Sequence, residues 1–401
     1  MVPKGWEKHP IGKICNSIVP GRNKPKIFDG DIPWVTTPEI KGRYIPSYRQ
    51  VNYVSKQVLK DAGGKLVPAG AVVMAAVGEL GLIAITSEPV ALNQQLHAFV
   101  CSNRVINEYL AYWLETQKPY MESIASKTTI PYLNKANCES IPVLYPPLPE
   151  QKKIAKILST WDKAITATEQ LLANSQQQKK ALMQQLLTGK KRMFDKNGVR
   201  FNGEWKKYQL EDLFSFKKGK GLSKADLSVS GTNKCILYGE LYTRYSEVVN
   251  IVYSRTNLSD GTPSVCGDIL IPSSTTTSGI DLANATAILE DNVLLGGDIN
   301  ILRAKKKLSA PFFAHLLTHV KKHEIASRAQ GITIIHLYST DLKDIGVFIP
   351  TELIEQQKIA EVLSVADQEI SALKQKLDAF KQEKKALMQQ LLTGKRRVTL
   401  N

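Results

Sequence analysis

In the stretch that begins at Glu355, apolar side chains fall at Ile359, Leu363, Ala366, Ile370, Leu373, Leu377 and Phe380, and then, past Lys384, at Leu387 and Leu391. This is an unbroken alternation of four- and three-residue steps, with Gln, Glu and Lys on the other faces and no internal Pro or Gly. The pattern predicts a coiled-coil helix. An earlier stretch keeps the same register through Ile154, Leu158, Trp161, Ile165, Leu172, Leu182 and Leu186, although Thr168, Ser175 and Lys179 soften its middle. Both come after turn-like lead-ins, Tyr145-Pro146-Pro147-Leu148-Pro149 and Ile349-Pro350-Thr351, and both stop at a glycine, Gly189 or Gly394, a favoured C-terminal cap. At 1.5 Å per residue the first helix, Glu150 to Leu187, is a rod of roughly 57 Å.

The two stretches are copies. Lys179 to Lys190 is identical to Lys384 to Lys395, and Glu150-Gln151-Lys152-Lys153-Ile154-Ala155 answers Glu355-Gln356-Gln357-Lys358-Ile359-Ala360 at the same offset of 205. The unit is therefore gapless over about 43 residues, and duplication is the feature to settle before any fold is assigned. A lone helix of this kind leaves its stripe in water, so the copies are expected to pack on each other. The first helix ends in a basic loop, Lys190-Lys191-Arg192, that leads into a segment returning to the start of the second, so an antiparallel pair is expected. An exposed helix docking on another protein is the competing expectation.

The segments between the helices resemble each other more loosely: Trp6, Ile11 and Ile14 match Trp205, Leu210 and Leu213 at an offset of 199. Ala71 to Val77 and Asp268 to Ile271 read as buried strands, and Asn107 to Glu122 and Pro311 to Ala329 as helices. The expected fold is α+β: two α/β heads of one plan, at 1–149 and 193–354, with long antiparallel coiled-coil helices at 150–192 and 355–401, related by a pseudo-twofold internal repeat.

Charge points to the partner. The chain of 401 residues carries 53 Lys plus Arg against 37 Asp plus Glu, a net +16. That surplus suits a polyanion, because neutralising phosphates releases counterions. The helical units at 150–192 and 355–397 supply nine of these net charges, and the basic helix-end loops (Lys190, Lys191, Arg192; Lys395, Arg396, Arg397) are expected to touch phosphates or a partner subunit. Five scattered cysteines without a Cys-x-x-Cys pair indicate neither a disulfide framework nor a cysteine-rich zinc site. With no apolar run of membrane-spanning length and no signal-peptide core, a cytoplasmic protein off the membrane is expected.

The sequence carries no familiar catalytic motif. Its only Pro-Pro, at Pro146-Pro147, is a helix lead-in and lacks the Asn/Asp-Pro-Pro-aromatic pattern of an amino-methyltransferase; Lys218-Gly219-Lys220-Gly221 lacks the second half of a phosphate loop. His315, His319 and His323 recur every fourth residue, a zinc-compatible spacing. Without an evident Cys or carboxylate partner they read as a solvated or phosphate-facing edge, and no metal is expected. Asp268 and Glu290 read as surface charges rather than a nuclease site. Phosphates take Lys, Arg and hydroxyl donors, and base edges take Arg, Asn, Gln, Ser and Thr. The DNA-contact candidates are accordingly Arg22, Lys24, Lys26, Thr36, Lys41, Arg43, Tyr48 and Arg49 in the first head. In the second they are Lys217, Lys218, Lys220, Lys224, Arg244 and the hydroxyl run Ser273, Ser274, Thr275, Thr276, Thr277 and Ser278.

The order head, helix, head, helix, with Pro146-Pro147-Leu148-Pro149-Glu150-Gln151-Lys152-Lys153-Ile154-Ala155 and Leu-Met-Gln-Gln-Leu-Leu-Thr-Gly-Lys closing both helices, resembles the specificity (S, HsdS) subunits of Type I restriction-modification systems. Gly30-Asp31-Ile32-Pro33-Trp34-Val35 with Pro38-Glu39-Ile40 is similar to the opening of their first target-recognition domain. The resemblance implies a non-catalytic subunit whose heads each read one half of a bipartite DNA target and whose helices set the gap. It further implies docking of two adenine-N6 methyltransferase (M) subunits and, through them, restriction (R) subunits. The chain itself would bind no cofactor, and S-adenosylmethionine, ATP and Mg would belong to the partners. A coiled-coil adaptor with protein-binding heads is the alternative.

Overall fold

The structure is a computed structural model that describes residues 2–21, 23–47, 51–126 and 129–399. The chain forms two compact units, Met1–Glu169 with Lys376–Asn401, and Gln170–Gln375.

Each unit holds one head, and the two heads share a sheet plan. In the first unit a five-stranded sheet runs in the order Cys15–Ile18, Leu96–Cys101, Val72–Ala75, Ile83–Thr86, Tyr44–Ile45. A four-stranded sheet has the order Tyr53–Val54, Ile32–Val35, Val90–Leu92, Leu66–Val67, and Glu7–Pro10 pairs with Pro142–Tyr145. The second unit repeats this with Phe214–Lys218, Ile299–Ala304, Asp268–Pro272, Thr286–Ile288, Val248–Val249. Its smaller sheet is Ser254–Thr256, Asn233–Ile236, Leu294–Leu295, Thr262–Pro263, and its ribbon is Trp205–Gln209 with Gly346–Pro350. Even the parallel pairings recur, Tyr44–Ile45 with Ile83–Thr86 answering Val248–Val249 with Thr286–Ile288. Strands buried on both faces read as continuous apolar runs, and Val72–Ala75 and Ile269–Ile271 are wholly buried.

Two expected helices are interrupted. The first divides into Asn107–Thr116 and Lys118–Ile124, with Pro119 in the opening turn of the second piece, where its missing N–H costs nothing. The other runs from Ala310–His315 into a π-helical turn, Leu316–Val320, and resumes at Lys322–Ser327.

The long helices span Leu148–Leu186 and Leu353–Leu391, 39 residues each, and each contributes to both units. Every residue of the predicted seam is buried or half-buried. In the first unit Trp161 meets Phe380 edge-on at 5.5 Å, Asp162 accepts from Lys384, and Glu169 pairs with Lys381. In the second, Ser175 donates to Glu369 at 3.1 Å and Lys179 to Asp367 at 2.5 Å. Numbers rise along one helix as they fall along the other, so the pairing within each unit is antiparallel. The polar residues of the seam are thus internal partners: Ser175 and Lys179 bind across it, and Thr168 donates to its own helix at Ala164.

The repeated motifs form the joints. Glu150 and Glu355 are almost fully buried, and each receives a two-bond arginine from the far end of the other helix: Arg397 at 2.7 and 2.7 Å, Arg192 at 2.6 and 2.7 Å. Gln151 and Gln356 bond the carbonyls of Pro146 and Pro350 and accept the amides of Ile106 and Ser309. Gly189 and Gly394 adopt φ of +72° and +70°, and a Cβ there would lie 3.1 Å from Trp205 or 2.6 Å from Pro3. Arg192 and Arg397 therefore serve as structural clasps rather than as the free phosphate or partner-subunit contacts expected of them, although Arg397, like Lys190, Lys191, Lys395 and Arg396, stays exposed.

Candidate nucleic-acid interface

In both heads a crevice opens at the same topological place. It lies between the loop after the first strand of the large sheet, the end of the second strand of the small sheet, and the turn that enters the long Leu96–Cys101 or Ile299–Ala304 strand.

In the first head this is a cleft of about 270 Å³ lined by Asn23, Lys24, Trp34, Thr36, Asn93, Gln94 and Gln95. Thr36 ends the buried strand Ile32–Val35, and its amide and hydroxyl both donate to Glu39 at 2.8 Å, opening a short 3-10 turn. Asn93 and Gln95 brace the turn by bonding each other at 3.2 Å, which leaves Gln94 exposed. Lys24 and Lys26 are exposed, Lys24 lying over Phe28 at 5.8 Å, and Lys41 is exposed nearby in sequence. The cleft thus combines an ammonium for phosphate with amides able to make paired hydrogen bonds to a base edge.

The second crevice, about 590 Å³, has other chemistry. Lys224, Ser223, Tyr238, Glu240, Thr243 and Asp298 line it, with Gly221 and Gly297 closing the loops. Glu240 accepts from Ser254 at 2.6 Å and from the amide of Leu237 at 2.9 Å, so it is held in place. Arg244 pairs with it at 3.2 Å and lies over Tyr253 at 4.6 Å. Lys217 and Lys218 stand exposed on their strand, and Lys220 pairs with Asp260 at 2.9 Å.

The remaining candidates divide differently. Arg22, Tyr48 and Arg49 lie outside the described residues. Arg43 is turned inward: its guanidinium bridges Glu115 at 2.9 Å and Asp162 at 3.4 Å and lies 4.0 Å over the Tyr112 ring. Burial disfavours its charge, but the Glu115 carboxylate and its neighbours more than offset this and hold it cationic. Ser273, Ser274 and Thr275 are buried, because Ser274–Thr275 pairs with Ile335–His336 in a two-stranded sheet that the first head lacks among the described residues. Thr276, Thr277 and Ser278 are exposed, with Thr277 donating to Asp281 at 2.5 Å. Arg43, Ser273, Ser274 and Thr275 therefore hold the fold and are withdrawn as DNA contacts. Asp268 is likewise not a surface charge: it is buried and receives Arg303 at 2.8 and 2.6 Å.

Asn23, Asn93, Gln94 and Gln95, and in the other head Ser223, Tyr238 and Asp298, were not singled out from the sequence. The polar triplet directly after the apolar Val90-Ala91-Leu92 was the available signal.

Two heads with one sheet plan and unlike polar crevices, on duplicated antiparallel helices in a strongly basic chain, define a paired DNA-recognition protein. The chain belongs to the Type I restriction modification DNA specificity domain family, whose model matches residues 3–174 and 202–382. It is 24% identical over 420 residues to the Type I restriction enzyme MjaVIII specificity subunit of Methanocaldococcus jannaschii, covering 99% of this chain and 94% of that one. To the MjaIX specificity subunit of the same organism it is 27% identical over 170 residues, 41% of this chain and 39% of that protein. The fold is shared with the crystal structure of the Type I restriction-modification system S subunit from M. genitalium, at a TM-score of 0.63 and 15% identity over 97% of this chain and 96% of that one. No helix among the described residues is long and apolar enough to cross a membrane.

Proposed function

We propose that this DNA-recognition subunit of a Type I restriction-modification complex reads a split duplex target, one half with the crevice at Lys24, Thr36 and Gln94 and the other with the crevice at Lys224, Tyr238 and Asp298. The carrying observation is that one sheet plan presents two chemically different crevices. Identical readers would present a palindrome, and unlike readers present two unrelated half-sites. A coiled-coil adaptor is not favoured, since both heads fall within the specificity-domain family.

In this reading the helices fix the gap. Successive major grooves face one side of B-DNA about every 34–36 Å, within the reach of a rod of roughly 57 Å. The exposed helix faces dock two adenine-N6 methyltransferase subunits, and restriction subunits join through them in the cytoplasm. Methyl transfer and ATP-driven restriction stay with those partners and their S-adenosylmethionine, ATP and Mg. The test is single-molecule sequencing of methyladenine in DNA from cells expressing this chain with its methyltransferase partner. A motif of two short unlike blocks with a fixed unspecified gap is expected. One continuous motif, or a palindrome, would overturn the reading.

A further inference from the structure

Both units carry a buried polar cluster where head meets helix pair, built at corresponding positions but with opposite central charge. The repeat makes Asp162 equivalent to Asp367 and Lys384 to Lys179. The residue preceding the edge strand is Arg43 before Tyr44–Ile45 in one head and Glu247 before Val248–Val249 in the other. In the first unit the centre is the Arg43 cation, set among Glu115, Asp162 and the Tyr112 ring, and the Tyr112 hydroxyl donates to Asp162 at 2.5 Å.

In the second unit the position of Arg43 is taken by the carboxylate of Glu247, and the nearby cation is the Lys179 ammonium of the helix pair, 3.5 Å from Glu247 Oε1. Glu247 is buried and faces two imidazoles, His315 and His319, whose rings stack at 6.1 Å across the π-helical turn. His319 Nε2 contacts Glu247 Oε1, and His315 Nδ1 lies 3.9 Å from the same oxygen. His315 is fully buried, yet among the described residues neither of its ring nitrogens has a hydrogen-bond partner. A buried imidazole is rarely left in that condition. Its second nitrogen, Nε2, faces Asp367 Oδ2 at 4.0 Å, and Asp367 is held in turn by Lys179.

The geometry points to a zinc-class metal site formed by Glu247, His315 and His319, with Asp367 orienting the ring of His315. One donor atom from each of the three ligands falls within 4.8 Å of the others. Zinc bonds of about 2.0–2.1 Å bring tetrahedral donors to about 3.3 Å apart, so rotamer-scale movement closes the set. Two imidazoles and a carboxylate suit zinc and neighbouring divalent transition metals better than calcium or magnesium. A metal-bound histidine characteristically gives its other N–H to a carboxylate, the place Asp367 occupies. His323, the third member of the sequence series, is exposed and outside the cluster. The metal would take the place that the Arg43 cation fills in the other unit, fastening the second head to its helices.

The test uses the full chain, stripped with chelator and dialysed, then titrated with zinc alone in competition with a chromophoric chelator and, separately, with cobalt. Expected are one zinc per chain, a tetrahedral cobalt spectrum and a higher melting temperature for the second unit with zinc. Binding should weaken at least tenfold in His319→Ala and Glu247→Gln and be unchanged in His323→Ala. Cobalt spectroscopy on the unaltered chain keeps the test decisive if those variants misfold. Absence of stoichiometric zinc in the unaltered chain, or binding lost equally in His323→Ala, overturns the site and leaves an ion-pair cluster only. Either outcome is independent of the methylation motif.

Discussion

His97 sits in the strand Leu96–Cys101 with its Nε2 2.6 Å from the Ser17 hydroxyl, and burial pushes its ring down to about 4 from an ordinary 6.5. Folding therefore keeps it neutral where the unfolded chain would protonate it. Between pH 6.5 and 4 the unfolded state binds more protons, so stability of the first unit falls as pH drops through that window, by about 2 kcal/mol at pH 5. Urea unfolding of the first unit at pH 7 and pH 5, monitored by hydrogen exchange at Leu96–Cys101, should show that loss, and His97→Asn should flatten it; an unchanged pH slope in the variant would remove His97 as the cause. Residue type alone misleads elsewhere. Lys24 and Arg43 both looked like phosphate contacts, but only Lys24 is exposed. Lys24→Ala should weaken DNA binding across sequences and lower the slope of log affinity against log salt by about 1. Arg43→Met should leave that slope intact and instead destabilise the first unit by about 3 kcal/mol, since it strands Glu115, whereas Asp162 keeps Lys384 and the Tyr112 hydroxyl. Equal effects on the salt slope would reverse the assignment. The sequence shows charge at both positions; only the fold shows that one meets carboxylates from a helix 72 residues and a helix 119 residues away.

At the scale of elements, the seam was legible because a 4-3 spacing needs no knowledge of a partner. What Lys179 and Lys384 do at seam positions was not, because their partners Asp367 and Asp162 come into reach only once the antiparallel register is known. The same holds for Arg192 and Arg397, which sequence places in basic loops and structure places on buried carboxylates. Glu355 is fully buried with Arg192 as its cation, the guanidinium also donating to the Gly203 carbonyl at 2.7 Å. Removing the arginine leaves a buried carboxylate uncompensated, so Arg192→Ala should cost about 2–4 kcal/mol. Arg192→Lys should recover little, because a point ammonium cannot make the two parallel bonds. Adding Glu355→Gln to Arg192→Ala should restore part of the stability. Strictly additive losses in that double-mutant cycle would mean the clasp is not a coupled pair.

At the scale of the whole molecule, the duplication that fixed the architecture said nothing of specificity, since the crevices are where the heads differ: Asn93-Gln94-Gln95 stands in one and Gly296-Gly297-Asp298 in the other. The gap between half-sites is a different quantity, carried in the proposed mechanism by the helices, and helical geometry says how it can change. One added residue advances a helix by 1.5 Å but turns its downstream portion by about 100°. A single insertion in both helices should therefore break the seam, misplace the Lys179–Asp367 and Lys384–Asp162 pairs, and abolish methylation. Seven added residues restore the seam's register and lengthen the rod by about 10.5 Å, close to three base-pair steps at about 3.4 Å. Inserting one heptad at matching positions in both helices, within the middle third, should leave both half-sites unchanged and widen the gap by a whole number of base pairs, up to about three. Methyladenine sequencing reads half-sites and gap in one measurement. A heptad variant that methylates the original gap would show that the helices do not set it, and one with altered half-sites would place part of the base reading outside the two crevices.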